Sequence, residues 1–258
     1  MSDAFTVSRD GRVATLTLTR AEKHNAFDDT LIAGLTRALA DLGADDGIRA
    51  VVLAAEGKSF SAGADLGWMR RMADYSDEEN LADARALAAL MQTLDELPKP
   101  TIARVQGAAF GGGVGLVACC DIAIAAAGAV FGLSEVRLGL IPAVISPYVV
   151  AAMGARAARR YFLTAEAFDA AEALRLGLVH RVVAADALDA AVAEAMARLG
   201  DGGPAAQREA KALIRRVAPA PDVVEETAEW IARLRAGAEG REGVAAFLEK
   251  RAPNWRED

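Results

Sequence analysis

A chain of 258 residues that is 53% hydrophobic can bury a large core, alone or with an appendage, and its composition argues against disorder. The formal net charge of −7, with Arg70-Arg71, Arg159-Arg160 and Arg215-Arg216 as the strongest basic runs, argues against the clustered basic face that nucleic-acid binding needs. No apolar run approaches the ~20 residues of a membrane span, and Met1-Ser2-Asp3-Ala4 lacks the basic-then-apolar pattern of a secretory signal, so a cytoplasmic protein is expected. Cys119 and Cys120 are adjacent in an apolar segment, which fits buried, reduced thiols rather than a disulfide framework. The two histidines, His24 and His180, belong to no cluster with metal-ligand spacing, so no metal is expected and both read as loop or surface residues.

In chain order, the alternation over 13–19 predicts a half-buried strand. Asp28-Asp29 opens a helix to about Leu42, with Leu31, Leu35, Leu39 and Leu42 at helical spacing. Residues 50–55 read as a buried strand that ends in a loop of small residues over 56–65. A helical turn over 66–72 precedes a longer helix over 77–94, capped by Ser76 and acidic in its first turn. The next strand, 98–105, leads into Gly107-Ala-Ala-Phe110-Gly111-Gly112-Gly113-Val114-Gly115 and an apolar helix from Val114 to Cys120. Three consecutive glycines between a strand and a helix leave the backbone open to a ligand, where a helix N-terminus presents unsatisfied N–H groups and a partial positive charge. Such a device stabilises an anion, either bound or developing during a reaction. Beyond it lie a short strand over 121–126, helices over most of 144–176, a strand-like segment over 178–183, and helices near 186–199, 204–216, 221–237 and 240–250. Gly200 to Pro204 reads as a joint between a core, 1–200, and a helical region, 201–258. Strand, small-residue loop and helix thus recur, as in parallel α/β structures whose ligands bind at the strand C-terminal ends.

Seven motifs stand in order along nearly the whole chain: Asn25-Ala26-Phe27; Phe60-Ser61-Ala62-Gly63-Ala64-Asp65; Gly107 to Gly113; Cys120-Asp121; Leu138-Gly139-Leu140-Ile141-Pro142; Gly177-Leu178-Val179; and Glu242-Gly243-Val244-Ala245-Ala246-Phe247-Leu248-Glu249-Lys250-Arg251. Each is weak alone, but in this order they resemble the crotonase (enoyl-CoA hydratase/isomerase) superfamily. The resemblance implies an α/β spiral of ββα units with a C-terminal helical trimerisation region. It also implies binding of acyl-CoA thioesters, with coenzyme A as part of the substrate and no separate cofactor, and self-association as a trimer or dimer of trimers. The N–H groups of Ala64 and Gly112 match the family's oxyanion hole, with Gly111 beside them, and Glu135 in Leu133-Ser134-Glu135-Val136 matches an acid–base glutamate. For Gly111–Gly113 the local alternative is a tight turn; for Glu135 it is a helix N-terminal acid capped by Ser134.

Other assignments follow by position. Lys23, His24 and Ala26 match a first CoA-facing loop, in which Ala21 stands where the family often has proline; Ala62, Asp65 and Leu66 match a second. Phe247 and Lys250 match residues that reach the CoA of a neighbouring subunit, although Lys250 also reads as an ordinary charge at a helix end. Trp68 and Met69 line the acyl pocket or belong to the core.

Many hydratases of the family carry a further glutamate four residues after the first glycine of the triple run; here that residue is Gly115. One carboxylate allows hydration of a Cα=Cβ bond or Δ3,Δ2-enoyl-CoA isomerisation. The runs 111–121 and 133–148 resemble bacterial methylglutaconyl-CoA and isohexenylglutaconyl-CoA hydratases, which points to hydration of a branched or carboxylated enoyl-CoA. Arg70, Arg71 or Arg85 would suit its distal carboxylate. Ala143-Val144-Ile145-Ser146-Pro147-Tyr148 replaces a glycine-rich continuation, so Ser146 or Tyr148 either holds water in place of the lost glutamate or only packs. A eukaryotic methylglutaconyl-CoA hydratase resembling this chain binds AU-rich RNA, but the helix over 28–42 has Arg37 as its only basic residue, so weak or absent RNA binding is expected. Retention of Glu135 and both donor loops argues against an inactive homologue.

Overall fold

Alternation in β2 (Val13–Leu18) buries Ala14, Leu16 and Leu18 on one face, and β1 (Phe5–Asp10) pairs antiparallel along its edge. In β3 (Ala50–Ala55) every residue is buried, the continuous apolar pattern of a parallel strand covered on both faces. With β5 (Thr101–Val105), β7 (Ile122–Ala126) and β10 (Arg181–Val183) these strands form one sheet in the order β1-β2-β3-β5-β7-β10, parallel from β2 onward. The computed structural model describes residues 4–72, 74–218 and 237–255, without the side chains of 240, 241, 244, 245, 247 and 248.

A second sheet consists of β4 (Ser59–Ser61), β6 (Ala108–Phe110), β8 (Val130–Gly132) and β9 (Phe168–Asp169), the first three parallel. The sequence reading assigned none of these four, and placed β4 in a loop, because two or three residues carry no periodicity. They complete the spiral. β3 passes to β4 and then to α2 (Leu66–Met72) and α3 (Asp77–Asp95). β5 passes to β6 and α4 (Gly112–Cys119), and β7 to β8, a 3-10 turn and α5 (Ser146–Thr164).

Asp28 caps α1 (Asp29–Ala44) by accepting from the Leu31 N–H, and Leu31, Ile32, Leu35, Leu39 and Leu42 are buried as their spacing predicts. Ser76 and Glu79 form a capping box on α3, of which Leu90, Met91 and Leu94 are buried. α4 starts two residues before its predicted position and is buried on nearly all sides. The region predicted as helix after 144 is divided: Gly154 (φ 76°) interrupts α5, and β9 precedes α6 (Ala170–Leu176), which ends at Gly177 in the left-handed region. One core lies between these elements, and a smaller one lies where α7 (Leu188–Gly200) covers Val52, Ile102 and Ile124. α8 (Pro204–Val217) is tied to the core by Lys211 Nζ on Asp121 Oδ2 (2.8 Å), and a last helix spans Ala238–Glu249. The helix expected over 221–237 falls, except at its last residue, outside the described residues. Cys119 and Cys120 are free and buried, and burial pushes both thiols up. Among the described residues no helix is long and apolar enough to cross a membrane.

Candidate active site

The three parallel strands of the small sheet lead into the three groups singled out in the sequence. β4 runs into Ala62-Gly63-Ala64, β6 into Gly111-Gly112, and β8 into Leu133-Ser134-Glu135. Neighbouring strands lie about 4.8 Å apart, so segments separated by some 70 residues in sequence end side by side.

Ala64 is positioned by Phe27. The Phe27 N–H donates to the Gly63 carbonyl (2.7 Å), and the Phe27 carbonyl accepts from the Asp65 N–H (2.7 Å), forming an isolated parallel bridge between Phe27 and Ala64. That pattern turns the N–H of the middle residue, Ala64, away from Phe27. Gly112 is the first residue of α4, where an N–H has no intrahelical acceptor. Among the described residues neither N–H has a backbone acceptor. Phe27 also touches the second donor. Its ring lies where a Cβ on Gly112 would stand only 2.5 Å from Cε2, and the residue is 1% exposed. Gly111 takes φ 49°, ψ −117° and donates to the Gly132 carbonyl (2.9 Å), while a Cβ on Gly113 would sit 2.7 Å from the Ser61 carbonyl oxygen. The triple glycine is therefore a place of close backbone approach as well as a turn.

Glu135 opens the 3-10 turn Glu135–Leu138. Its Oε1 lies 3.1 Å from where a Cβ on Gly111 would be, and its Oε2 is buried with no hydrogen-bond partner among the described residues. Burial raises its pKa above the usual carboxylate value, partly offset by its own backbone N–H. A carboxyl in that state suits proton transfer. Ser134 makes no side-chain capping bond to the turn, which removes that local explanation for the residue.

The two loops expected to face CoA meet. Lys23 Nζ is 3.6 Å from Asp65 Oδ2, and Asp65 Oδ1 accepts from the N–H groups of Gly67 and Trp68, capping α2. The Trp68 N–H holds the Asp65 carboxyl below its usual range against burial, with Lys23 contributing. Ala62, exposed His24, with Nδ1 3.1 Å from Ser59 Oγ, and 70% exposed Leu66 lie on the same rim. Ala26 is buried, and its carbonyl accepts from Arg20. Trp68 belongs to the core, its indole N–H donating to Asp83 Oδ1 (3.0 Å).

Burial, together with Cys119, Asp95 and Glu96, pushes the Tyr148 hydroxyl up to about 12. Those neighbours mark the C-terminal ends of α4 and α3, roughly 10 Å along α4 from Gly112. Tyr148 is half-buried and packs against the main core. The Ser146 hydroxyl donates to the Ala143 carbonyl (2.8 Å) and closes a turn. Arg71 pairs with Asp29 at the surface (2.7 Å), and Arg70 and Arg85 are exposed. Lys250 is exposed after the last helix, with no contact among the described residues that ties it to the Glu135 cluster; the Phe247 side chain lies outside the described residues. His180 accepts from the Ala123 N–H (3.0 Å), and among the described residues no group of three His, Cys, Asp or Glu could hold a metal ion.

Sequence reasoning missed the roles of Phe27 and Arg20. The Arg20 guanidinium bonds both the Asp28 carboxylate and the Ala26 carbonyl, clamping the backbone on either side of Phe27. A single arginine after a strand carries no signal of this; only the three-dimensional contact does. Burial alone would raise the Asp28 carboxyl, but Arg20, the Leu31 N–H and Thr30 hold it down to about 2. A depressed carboxylate contributes stability that is complete above its ordinary value of 3.8 and is lost as pH falls to about 2. In Asp28→Asn, which keeps a capping side chain, denaturation midpoints should fall less steeply than in wild type across that window. Parallel curves would show that the clamp is not ionic.

The enoyl-CoA hydratase/isomerase profile matches residues 8–258. The chain belongs to that family. A solved enoyl-CoA hydratase from Shewanella pealeana is 49% identical, superposes with a TM-score of 0.95 and is matched over 98% of this chain and 96% of its own. A Thermus thermophilus protein named as an enoyl-CoA hydratase is 37% identical over 95% of this chain and 98% of its own length. The mevalonyl-coenzyme A hydratase of Aspergillus fumigatus is 34% identical over 95% of this chain and 91% of its own. The fold is thus the α/β crotonase fold, and the enzyme belongs among the hydratases and isomerases of acyl-CoA thioesters.

Proposed function

We propose that the site hydrates an enoyl-CoA, with the thioester oxygen held by the N–H groups of Ala64 and Gly112 and Glu135 as the sole acid–base. The observation that carries this reading is the partnerless, buried Oε2 of Glu135 on a side chain that lies against Gly111, next to a free donor. Glu135 takes a proton from water as the water oxygen bonds to Cβ. The C=C electron pair moves toward the thioester oxygen, and Glu135 then returns the proton to Cα. Each oxyanion-hole donor is worth roughly 3–4 kcal/mol in the transition state.

The substrate is a branched or carboxylated enoyl-CoA such as 3-methylglutaconyl-CoA. Support comes from the motif runs 111–121 and 133–148 and from the relative named for mevalonyl-CoA, itself a methyl-branched acyl group. Coenzyme A enters as part of the substrate, with no separate cofactor. The protein works in the cytoplasm as a trimer or dimer of trimers, with Phe247 and Lys250 turned to a neighbour's CoA; sedimentation of the intact protein tests the assembly. A second reading, Δ3,Δ2-isomerisation, is favoured by the apolar surroundings of Gly115: a Cβ there would meet Ile145 Cγ2 at 2.3 Å. Steady-state kinetics on crotonyl-, 3-hexenoyl-, 3-methylcrotonyl- and 3-methylglutaconyl-CoA decides between them. The highest kcat/KM is expected for 3-methylglutaconyl-CoA, and preference for 3-hexenoyl-CoA would establish the isomerase instead.

A further inference from the structure

Gly111, which caps α4, and Gly115 within it lie one turn apart, with the Gly115 N–H donating to the Gly111 carbonyl (3.2 Å). Different groups crowd the two positions. Glu135 Oε1 is 3.1 Å from where a Gly111 Cβ would stand. At Gly115 the corresponding point is 2.3 Å from Ile145 Cγ2, 3.0 Å from Ile145 Cβ and 3.2 Å from Met91 Cε. The hydrogen bond between the two glycines keeps their backbones one turn apart, about 6 Å, so the groups that crowd them, Glu135 and Ile145, meet α4 at consecutive turns of its first end. Ile145 and Met91 are 3% and 0% exposed and turn carbon atoms toward Gly115, the Met91 sulfur accepting from the Cys119 thiol (3.9 Å). An ordered water needs two to four polar partners. The Ser146 hydroxyl donates its proton to the Ala143 carbonyl (2.8 Å).

We propose that Ile145 is the specificity-determining residue of this site: with Met91 it forms a dry wall on the α4 side of Glu135 and sets the partition between water addition and proton transfer from Cα to Cγ. In the second course Glu135 removes a Cα proton from a Δ3-enoyl-CoA, the dienolate charge rests on the thioester oxygen, and the same proton returns to Cγ. No water is consumed. The wall also explains why Gly115 must lack a side chain, since any Cβ there collides with Ile145. The inference rests on Glu135 as the acid–base.

The test uses Ile145→Thr, which keeps the branched shape and adds one hydroxyl, with Ile145→Val as the apolar control. The readout is kcat/KM for crotonyl-CoA hydration divided by kcat/KM for 3-hexenoyl-CoA isomerisation. The ratio should rise about fivefold to tenfold in Ile145→Thr, the worth of one hydrogen bond to water, and stay near wild type in Ile145→Val. An unchanged ratio in both overturns the proposal. A second measurement does not need activity: Gly115→Ala should lower the melting temperature markedly in the wild-type background and much less in Ile145→Ala. Equal losses in the two backgrounds would also overturn it. Retained turnover in Glu135→Gln would instead remove the acid–base assignment, leaving the Gly115–Ile145 coupling to be judged by the thermal cycle alone.

Discussion

Glu135→Gln lowers turnover by about 10²–10⁴-fold, the usual worth of a positioned acid–base group, and raises thermal stability at neutral pH. The two effects have one cause. The carboxyl is buried beside the donor loop with Oε2 unpartnered, so its ionised form is disfavoured in the folded chain. A carboxyl raised above its ordinary value of 4.5 binds its proton more tightly folded than unfolded. Wild-type stability is therefore full below pH 4.5 and falls as pH rises through the higher folded value. Glutamine does not titrate, so the variant's advantage is absent at low pH and develops above 4.5. Activity assays together with denaturation midpoints over a pH series check both halves. Wild-type-like turnover would end the acid–base role. A variant less stable than wild type at neutral pH would mean that the carboxylate is paired.

Gly112→Ala is expected to lower kcat by at least the 10²–10³-fold that follows loss of one oxyanion donor, with a much smaller change in KM. A Cβ at 112 would lie 2.5 and 2.8 Å from two Phe27 ring carbons. The ring is enclosed, so either it or the start of α4 must shift. Either movement spreads, because the Phe27 backbone holds Gly63 and Asp65 on both sides of the Ala64 donor. Phe27→Leu in the same chain removes the colliding ring atoms and should restore part of the lost kcat. A double-mutant cycle measures the coupling. Strictly additive effects would show that the ring does not set the spacing of the two donors.

The residues to which the proposal assigns the chemistry were largely visible without coordinates. The triple glycine before an apolar helix marks a backbone donor, and Glu135 stands within a motif whose neighbours occur in family order. Local physics also made α1 legible: four leucines at helical spacing after Asp28 define a buried stripe and its cap. The residues around that chemistry were not visible. β4, β6 and β8 are three residues each, and what makes them strands is hydrogen bonding to segments some 20 to 50 positions away.

Composition and periodicity determined that this chain forms buried strands and a glycine-rich loop before an apolar helix, because each is a property of a short stretch and its own backbone; the acid–base reading of Glu135 came from the motif order that resembles the family. Tertiary structure alone decided that Phe27 touches both the Ala64 loop and Gly112, the latter 85 positions away, and that Ile145 occupies the space beside Gly115. Both depend on which distant side chain fills a gap of one or two carbon atoms. Close packing makes such gaps specific, and no local pattern encodes their far partner.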